Sequence, residues 1–454
     1  MSIRPARIDA RRAGIALSLA LSWASQAAAQ PVDTKSSVLS INLPTALRLA
    51  DERNLDVAIY VARIAEADAK VAQARTLAVP SVRAGSDYDR HTGNIQETSG
   101  QVIDADRASR FSGAGIGLTV DLANAIFAPL VAKQNRAAVT AASTANRHRV
   151  FLDVATAYLR FLQSRVETTI VHRALERATD LATLTANYAQ SGEGLKSDAE
   201  MAAVQPLLWQ QHVADVEERT ETTAAELVRL LHLEPGVMLE PMEKEIPTLE
   251  LFSANEDVGQ LISHALADRP ETEQYDALVA AAEDDLNAQR YKLFIPGVAL
   301  DYSTGRFGGG PGSAIDNTGN RDDLALTLYW QFDSFGLGHR ARTNEKRAEL
   351  QRIGLERDKL RDSIAAEVSE DYARVRSLKQ QVGLAGLAVA HAQQAYALNR
   401  SRIYDRQGLP LEAQQAMQAL AAAEVAELQA RVDYALAQIR LHTALGNPLD
   451  SQFR

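Results

Sequence analysis

Nine histidines, no cysteine and two glycine clusters are the features of this sequence that could carry chemistry. The histidines fall at positions 91, 148, 172, 212, 232, 264, 339, 391 and 442. No two stand at the spacing that sets a pair of imidazoles on one helix face to hold zinc. Without cysteine there is no thiolate for a metal or for nucleophilic attack, and no disulfide frame. A bacterial lipoprotein anchor, which needs a cysteine at its cleavage site, is excluded as well. Gly113-x-Gly115-x-Gly117 looks like a dinucleotide loop, but it lies inside a strand pattern and no helix opens where the pyrophosphate would sit. Gly308-Gly309-Gly310 falls in a polar stretch between strands, where a flexible outer loop accounts for it. No catalytic residue, metal site or cofactor is therefore assigned, and the chain is not read as an enzyme.

The elements around these residues say more. The chain has 454 residues, enough to bury a large apolar surface, and only 6% of them are aromatic. Richness in Ala, Leu, Glu, Arg and Gln is the composition of long helices. The net charge of −10 argues against a general nucleic-acid binder. Arg4, Arg7, Arg11 and Arg12 precede an apolar stretch from Ala13 to about Trp23, and Ala27-Ala28-Ala29 follows. This is a signal peptide, 1–29, too short to span a bilayer, where a helix needs ~20 apolar residues. Export is expected, and removal of Met1–Ala29 leaves a more acidic chain. No later segment has the uninterrupted apolar run of a transmembrane helix.

The sequence states itself twice. Ala46–Val82 set against Ile262–Val298 puts Arg53 on Arg269, Ala72-Gln73 on Ala288-Gln289, Pro80 on Pro296 and Val82 on Val298. Further on, Tyr188 with Gly194-Leu195 matches Tyr404 with Gly408-Leu409, and Glu234-Pro235 matches Asn447-Pro448. The common order of these matches points to duplication. The first repeat is assigned to 30–254 and the second to 255–454. Each has a helix closed by proline (Leu43–Ala78; Asp257–Leu293), two strands, a very long helix (Ile126–Gln190; Gly338–Gln407) and a returning helix (Lys196–Leu233; Leu411–Leu445). Glu234–Ala254, with three prolines, reads as a linker.

The strands alternate. Ala114, Ile116, Leu118, Val120 and Leu122 oppose Gly115, Gly117, Thr119 and Asp121. Leu324, Leu326, Leu328, Trp330 and Phe332 oppose Ala325, Thr327, Tyr329 and Gln331. Period two serves a soluble half-buried sheet equally well. A length of roughly ten residues, a small hydrated polar face and aromatics at a strand end favour a membrane barrel. Four strands cannot close one. Open edges in lipid would leave backbone groups unsatisfied at several kcal/mol each, about what burial of an unpaired polar group costs. Several chains must then share one barrel, and three copies supply twelve strands. The stretches Arg90–Arg110 and Arg306–Asp322 are expected as external loops.

The long helices carry a seven-residue period. Val375, Val382, Val389, Tyr396 and Ile403 form one stripe; Val425, Val432 and Ile439 form another, with Ala421, Leu428 and Ala435 beside it. Such spacing winds helices about each other. A 65-residue helix is about 100 Å long at 1.5 Å per residue, so these rods must pack into a tube or a fibre.

At this point the chain resembles the TolC-type outer-membrane efflux proteins, the outer membrane factors, over essentially its mature length. The carriers are Leu43-x-x-Ala46-Leu47-x-x-Ala50-x-x-x-Asn54, the duplicated layout, and the half-ends Leu233-Glu234-Pro235-Gly236 and Leu445-Gly446-Asn447-Pro448. The resemblance implies a mainly α fold with a membrane β part, in which four β-strands per chain join in a homotrimer as a twelve-stranded outer-membrane barrel above a coiled-coil α-barrel. It also implies a periplasmic adaptor (membrane fusion) protein as partner, and an inner-membrane pump driven by protons or by ATP. The barrel would meet outer-membrane lipid and the helices would extend into the periplasm, with no nucleic acid and no cofactor.

Relatives carry a Val-Gly-Leu-like element at the hairpin tips for contact with the adaptor. Gly194-Leu195 and Gly408-Leu409 match it, with Glu193 and Gln407 in place of the valine. These glycines also read as helix stops, free to take positive φ. Acidic residues past the tips narrow the pore mouth in the family. Asp198, Glu200 and Glu412 stand in that zone, while Gln414 and Met417 replace aspartates of some relatives. First-turn carboxylates also serve simply as partners of the helix dipole. Two function classes follow: an outer-membrane exit channel of a tripartite efflux or type I secretion system, or a non-channel periplasmic coiled-coil adaptor or structural protein. An adaptor would have one hairpin among compact β modules, and here there are two hairpins, each preceded by an amphipathic strand pair.

Overall fold

Asn54 sets the angle at which the chain enters its long helices. Its side-chain oxygen accepts the backbone N–H of Asp56 at 2.8 Å, and its amide donates to the Leu230 carbonyl at 3.0 Å. The computed structural model describes residues 38–253, 255–404 and 408–449. The signal segment Met1–Ala29 lies outside them. The expected helix Leu43–Ala78 is two helices, α1 (Leu43–Arg53) and α2 (Leu55–Arg75), because the Asn54 side chain offers the next turn a cap in place of continued helix. Asp257–Leu293 likewise divides, into α5 (Val258–Asp268) and α6 (Pro270–Tyr291). There Pro270 has no N–H to give, and it holds Arg269 in the extended region at φ −70° and ψ 129°. Pro270 stands where Asn54 stands under the same offset that aligns the two halves, so different chemistry makes the same break.

Four strands follow: β2 (Ser81–Gln96), β3 (Val102–Asp121), β5 (Gly297–Pro311) and β6 (Gly319–Tyr329). They form one antiparallel sheet in the order β2-β3-β5-β6. The strands are longer than expected, since β2 has 16 residues and β3 has 20. Most of Arg90–Arg110 is paired strand up to Gln96↔Val102, and the turn shrinks to residues 97–101. In the second half the loop shrinks to residues 312–318. Polarity there is not the mark of a loop: the ladder runs on because polar side chains pair across it, as Arg90 does with Asp106 at 3.2 Å.

The sheet has two unlike faces. One carries rows that cross strand to strand, such as Val82, Ile116, Tyr302 and Leu324, then Leu118, Leu300 and Leu326. Val82, Ile116 and all the leucines of β6 on this face are exposed. The row Ser86, Ser112, Arg306 and Asn320 ends the apolar band at its far margin. Exposed Phe294, Trp330 and Phe332 mark the near one. The opposite face is glycine-rich. The Phe111 ring lies over Gly113 and Gly305, where an added Cβ would come within 2.9 Å and 3.0 Å of it. Arg83 and Asp301 form an ion pair on this same face.

Two rods carry the rest. α3 (Leu122–Gln190) has 69 residues and α7 (Leu337–Tyr404) has 68, each ~100 Å long. α4 (Lys196–Leu230) returns along α3, and α8 (Pro410–Ala444) returns along α7. Near the sheet the lateral order is α2-α3-α6-α7; beyond the middle it is α4-α3-α8-α7. Val375, Val389, Ile403, Val432, Ile439, Ala421, Leu428 and Ala435 of the seven-residue stripes are buried. Both flanks are apolar but uncovered: Met201, Val204 and Leu207 on α4, and Leu384, Leu387 and Leu398 on α7. Among the described residues no helix is long and apolar enough to cross a membrane.

A belt crosses the rods at mid-height. β1 (Val38–Ile41) pairs in parallel with β4 (Met238–Pro241), and residues 242–253 and 255–257 continue it. Tyr158 of α3 donates to the Ile41 carbonyl at 3.4 Å and also bonds Glu243. Tyr372 of α7 donates to the Glu256 carbonyl at 2.8 Å. Gln438 of α8, fully buried, accepts the N–H groups of Leu251 and Phe252 at 3.0 and 2.9 Å. Asn54→Ala is expected to lower unfolding stability by about 1–2 kcal/mol, through loss of the cap and a stranded Leu230 carbonyl. Thermal unfolding followed by helix circular dichroism in detergent checks this, and an unchanged midpoint would refute the role given to Asn54.

Candidate functional site

The two chain reversals at the far end of the rods are built alike. α3 closes at Gln190, and Gly192 takes φ +81°. The Tyr188 carbonyl then accepts the N–H groups of Glu193 and Gly194 at 3.0 and 2.9 Å. In the second half the Arg402 carbonyl accepts the Gly408 N–H at 3.0 Å. Each glycine thus bonds back to the residue six positions earlier, closing the last turn. Residues 405–407, Gln407 among them, lie outside the described residues.

The glycines Gly194 and Gly408 were expected for their access to positive φ, and neither uses it; Gly192 does. What they supply is closeness. A Cβ on Gly194 would lie 3.1 Å from the Ala189 nitrogen, and one on Gly408 3.1 Å from the Ile403 nitrogen. Both positions press the returning chain against the backbone of the helix just left. Leu195 and Leu409 follow, each extended (ψ 137° and 136°) and each with its side chain in solvent. Pro410 opens α8 at a position whose N–H would have no partner anyway.

The structure holds the two reversals side by side. Tyr188 donates its hydroxyl to the Ile403 carbonyl at 3.1 Å. Leu181, Ile403 and Ala413 form a small buried cluster, with Leu184 and Tyr188 packed on it. The three candidate acids differ. Glu412 accepts from Arg402 Nη1 at 3.0 Å. Asp198 is half-buried in the first turn of α4 and accepts only a long bond from Ser197, and Glu200 is exposed. Neither Asp198 nor Glu200 has a cationic partner among the described residues. The first-half tip therefore carries free negative charge, and the second-half tip carries a neutralised pair. Arg402 is the residue that sequence reasoning missed; its one signal was an opposite charge ten positions from Glu412 across the turn.

At the other end, the glycine-rich sheet face is polar and small, and the opposite face is apolar and exposed. Asp121 joins the two parts: it caps α3 by accepting the Asn124 N–H at 3.2 Å and pairs with Lys292 at 3.1 Å. No group of three or more His, Asp or Glu side chains able to hold a metal occurs among the described residues. The arrangement offers surfaces along a length: a sheet with an apolar outside, rods with a belt, and paired tips.

Comparison with known proteins agrees with this anatomy. Residues 261–447 match the family model described as outer membrane efflux protein. No curated protein matches the chain in sequence. The solved outer-membrane channel OprN is similar in structure, with a TM-score of 0.77 at 18% identity, over 89% of this chain and 90% of that one. The outer membrane protein VceC of Vibrio cholerae gives 0.75 at 17%, over 89% and 96%. The open-state channel MtrE of Neisseria gonorrhoeae gives 0.74 at 19%, over 90% and 89%. Residues 261–447 thus match the outer membrane efflux protein family in sequence, and the fold of solved outer-membrane channels runs along nearly the whole chain.

Proposed function

We propose that three copies of this chain close into one exit duct. The observation that carries the reading is a pair of open sides that persists from end to end. β2 and β6 are the sheet's unpaired edges. Near the sheet the flanks are α2 and α7, and beyond the middle they are α4 and α7, with exposed leucines on both. At every height a first-half element bounds one side and a second-half element the other. Three such arcs meet side to side, joining β2 to β6, α2 to α7 and α4 to α7. The sheet then becomes a closed twelve-stranded barrel without edges, apolar band outward and glycine face inward. The two halves, read as a duplication of residues 30–254 and 255–454, alternate around it.

In this reading the duct is passive. An inner-membrane pump supplies the energy, and a periplasmic adaptor joins pump to duct in a tripartite efflux or type I secretion system. The adaptor's contact is placed at the tips, on exposed Leu195 and Leu409 beside close-packed Gly194 and Gly408. A permanently open duct would leak, so the tips rest closed, and an adaptor that binds the open form better shifts the population toward it. The bond from Tyr188 to Ile403 ties neighbouring hairpins and favours the resting form.

Three outcomes test this. In mild detergent the protein should run at three times the chain mass, and Leu384→Asp with Leu387→Asp should reduce it to smaller species; a trimer indifferent to those charges would remove the α7 flank from the interface. Gly408→Val or Leu409→Asp should abolish export in cells while trimer and barrel persist; normal export at native expression would place adaptor contact elsewhere. Asp198→Asn with Glu200→Gln should lower cation preference in planar bilayers by a few-fold, since removal of a like-charge ring lowers local cation concentration. Unchanged selectivity would leave those carboxylates as helix-dipole partners.

A further inference from the structure

The belt divides each rod into two faces, and the face turned away from it carries an arginine cluster. In three helices an arginine stands two positions after the residue that anchors the belt. Tyr158 precedes Arg160, Tyr372 precedes Arg374, and Gln438 precedes Arg440. Two residues of α-helix turn a side chain through about 200°. The three guanidinium groups therefore gather on the far side from the belt. There they line a groove of about 580 Å³ with Gln163, Gln381 and Gln429.

The charge of this groove is not cancelled. Arg160 and Arg440 form no hydrogen bond or ion pair among the described residues. Arg374 reaches Asp371 at 3.3 Å, and that carboxylate is itself nearly buried. Asp433 is the acid among the groove's lining residues, held by Gln429 at 2.9 Å, and Gln429 is in turn bonded to Gln163 at 2.6 Å. Three cations thus face one acid in the lining, with the nearly buried Asp371 behind Arg374 and within electrostatic reach of Arg440. Structural arginines on a coiled coil are paired across the helices, as Arg177 is with Glu424 at 3.1 Å one level further from the sheet. Arg160 and Arg440 do no such work. An arginine fork is suited to carboxylate, phosphate or sulfonate groups, which it binds in two-pronged fashion.

We propose that this groove is an oxyanion subsite on the wall of the duct, and that it favours passage of cargo bearing carboxylate, phosphate or sulfonate groups. The placement rests on the duct reading above: a tube that passes cargo keeps the belt outside, so the face away from the belt is the wall. Threefold repetition sets nine guanidinium groups at one height. A mobile anion meets a shallow attractive well there, tight enough to select and loose enough to release.

Citrate is a suitable probe, as a small multivalent carboxylate. The full-length trimer in detergent at low salt should bind it by calorimetry. Arg160→Gln, Arg374→Gln and Arg440→Gln together should weaken binding by about tenfold or more, the loss expected for charge-assisted two-pronged bonds. The corresponding triple lysine variant, which keeps charge without the fork, should fall between. In planar bilayers citrate should reduce wild-type conductance, with the same order among variants. Equal citrate affinity in wild type and the glutamine variant overturns the subsite. Binding that depends on the arginines but leaves an existing conductance untouched overturns its place on the duct wall. Trimers that bind citrate and never conduct, even when Tyr188→Phe removes the bond that holds the tips at rest, would instead refute the duct reading itself.

Discussion

Everything in this chain answers to the unmade backbone hydrogen bonds along β2 and β6. A four-stranded sheet has two such edges. In water an edge is a hazard; in lipid it is prohibitive, because no solvent remains to satisfy it. The apolar face of Val82, Ile116, Leu300, Leu324 and Leu326 asks for lipid, and the edges forbid it to a lone chain. Association of copies, as proposed above, would resolve the conflict. The rods carry the same asymmetry downward, since a helix packed on α3 or α7 must leave a flank for its neighbour.

The belt plays a complementary part. Long parallel rods can slide past each other, because one seven-residue step of a coiled coil resembles the next. Gln438, with no exposed surface, bonds two backbone N–H groups of the belt and the Tyr434 hydroxyl, so a slip of one turn would leave it unsatisfied in the interior. The Tyr158 phenol has a raised pKa, mainly from burial and then from the Glu243 carboxylate, and stays a neutral donor. These anchors fix the rods in register and, through helix geometry, decide which residues look the other way.

Much of this was legible in the sequence, and the failures have physical causes. Alternation in β3 and β6 and the stripe through Val375, Val389 and Ile403 were visible, because a sheet with two unlike faces and a buried helix seam each enforce a period. The length of β2 was not, since Arg90 and Asp106 look like loop residues until they are seen paired diagonally across the β2-β3 ladder. The break at Asn54 was hidden for a related reason: a side chain that caps one helix and bonds the distant Leu230 leaves no local pattern beyond its identity. At the tips the glycines were found and their task misjudged, because close approach and positive φ select the same residue. The tyrosine-x-arginine pairs at Tyr158 and Tyr372 stand in both halves and were readable, but their meaning depends on which face the belt covers.

The glycine face under Phe111 has a further bearing on how such a protein changes over generations. In the proposed trimer this face lines the bore, where any mutation of a glycine can only add to it, and each addition would enter three times around the axis. The bore therefore cannot be adjusted gradually: one codon narrows it from three sides at once, or sets three charges in a ring. Inheritance acts on this passage in coarse steps, so a single nucleotide exchange can convert a permissive lining into a selective one.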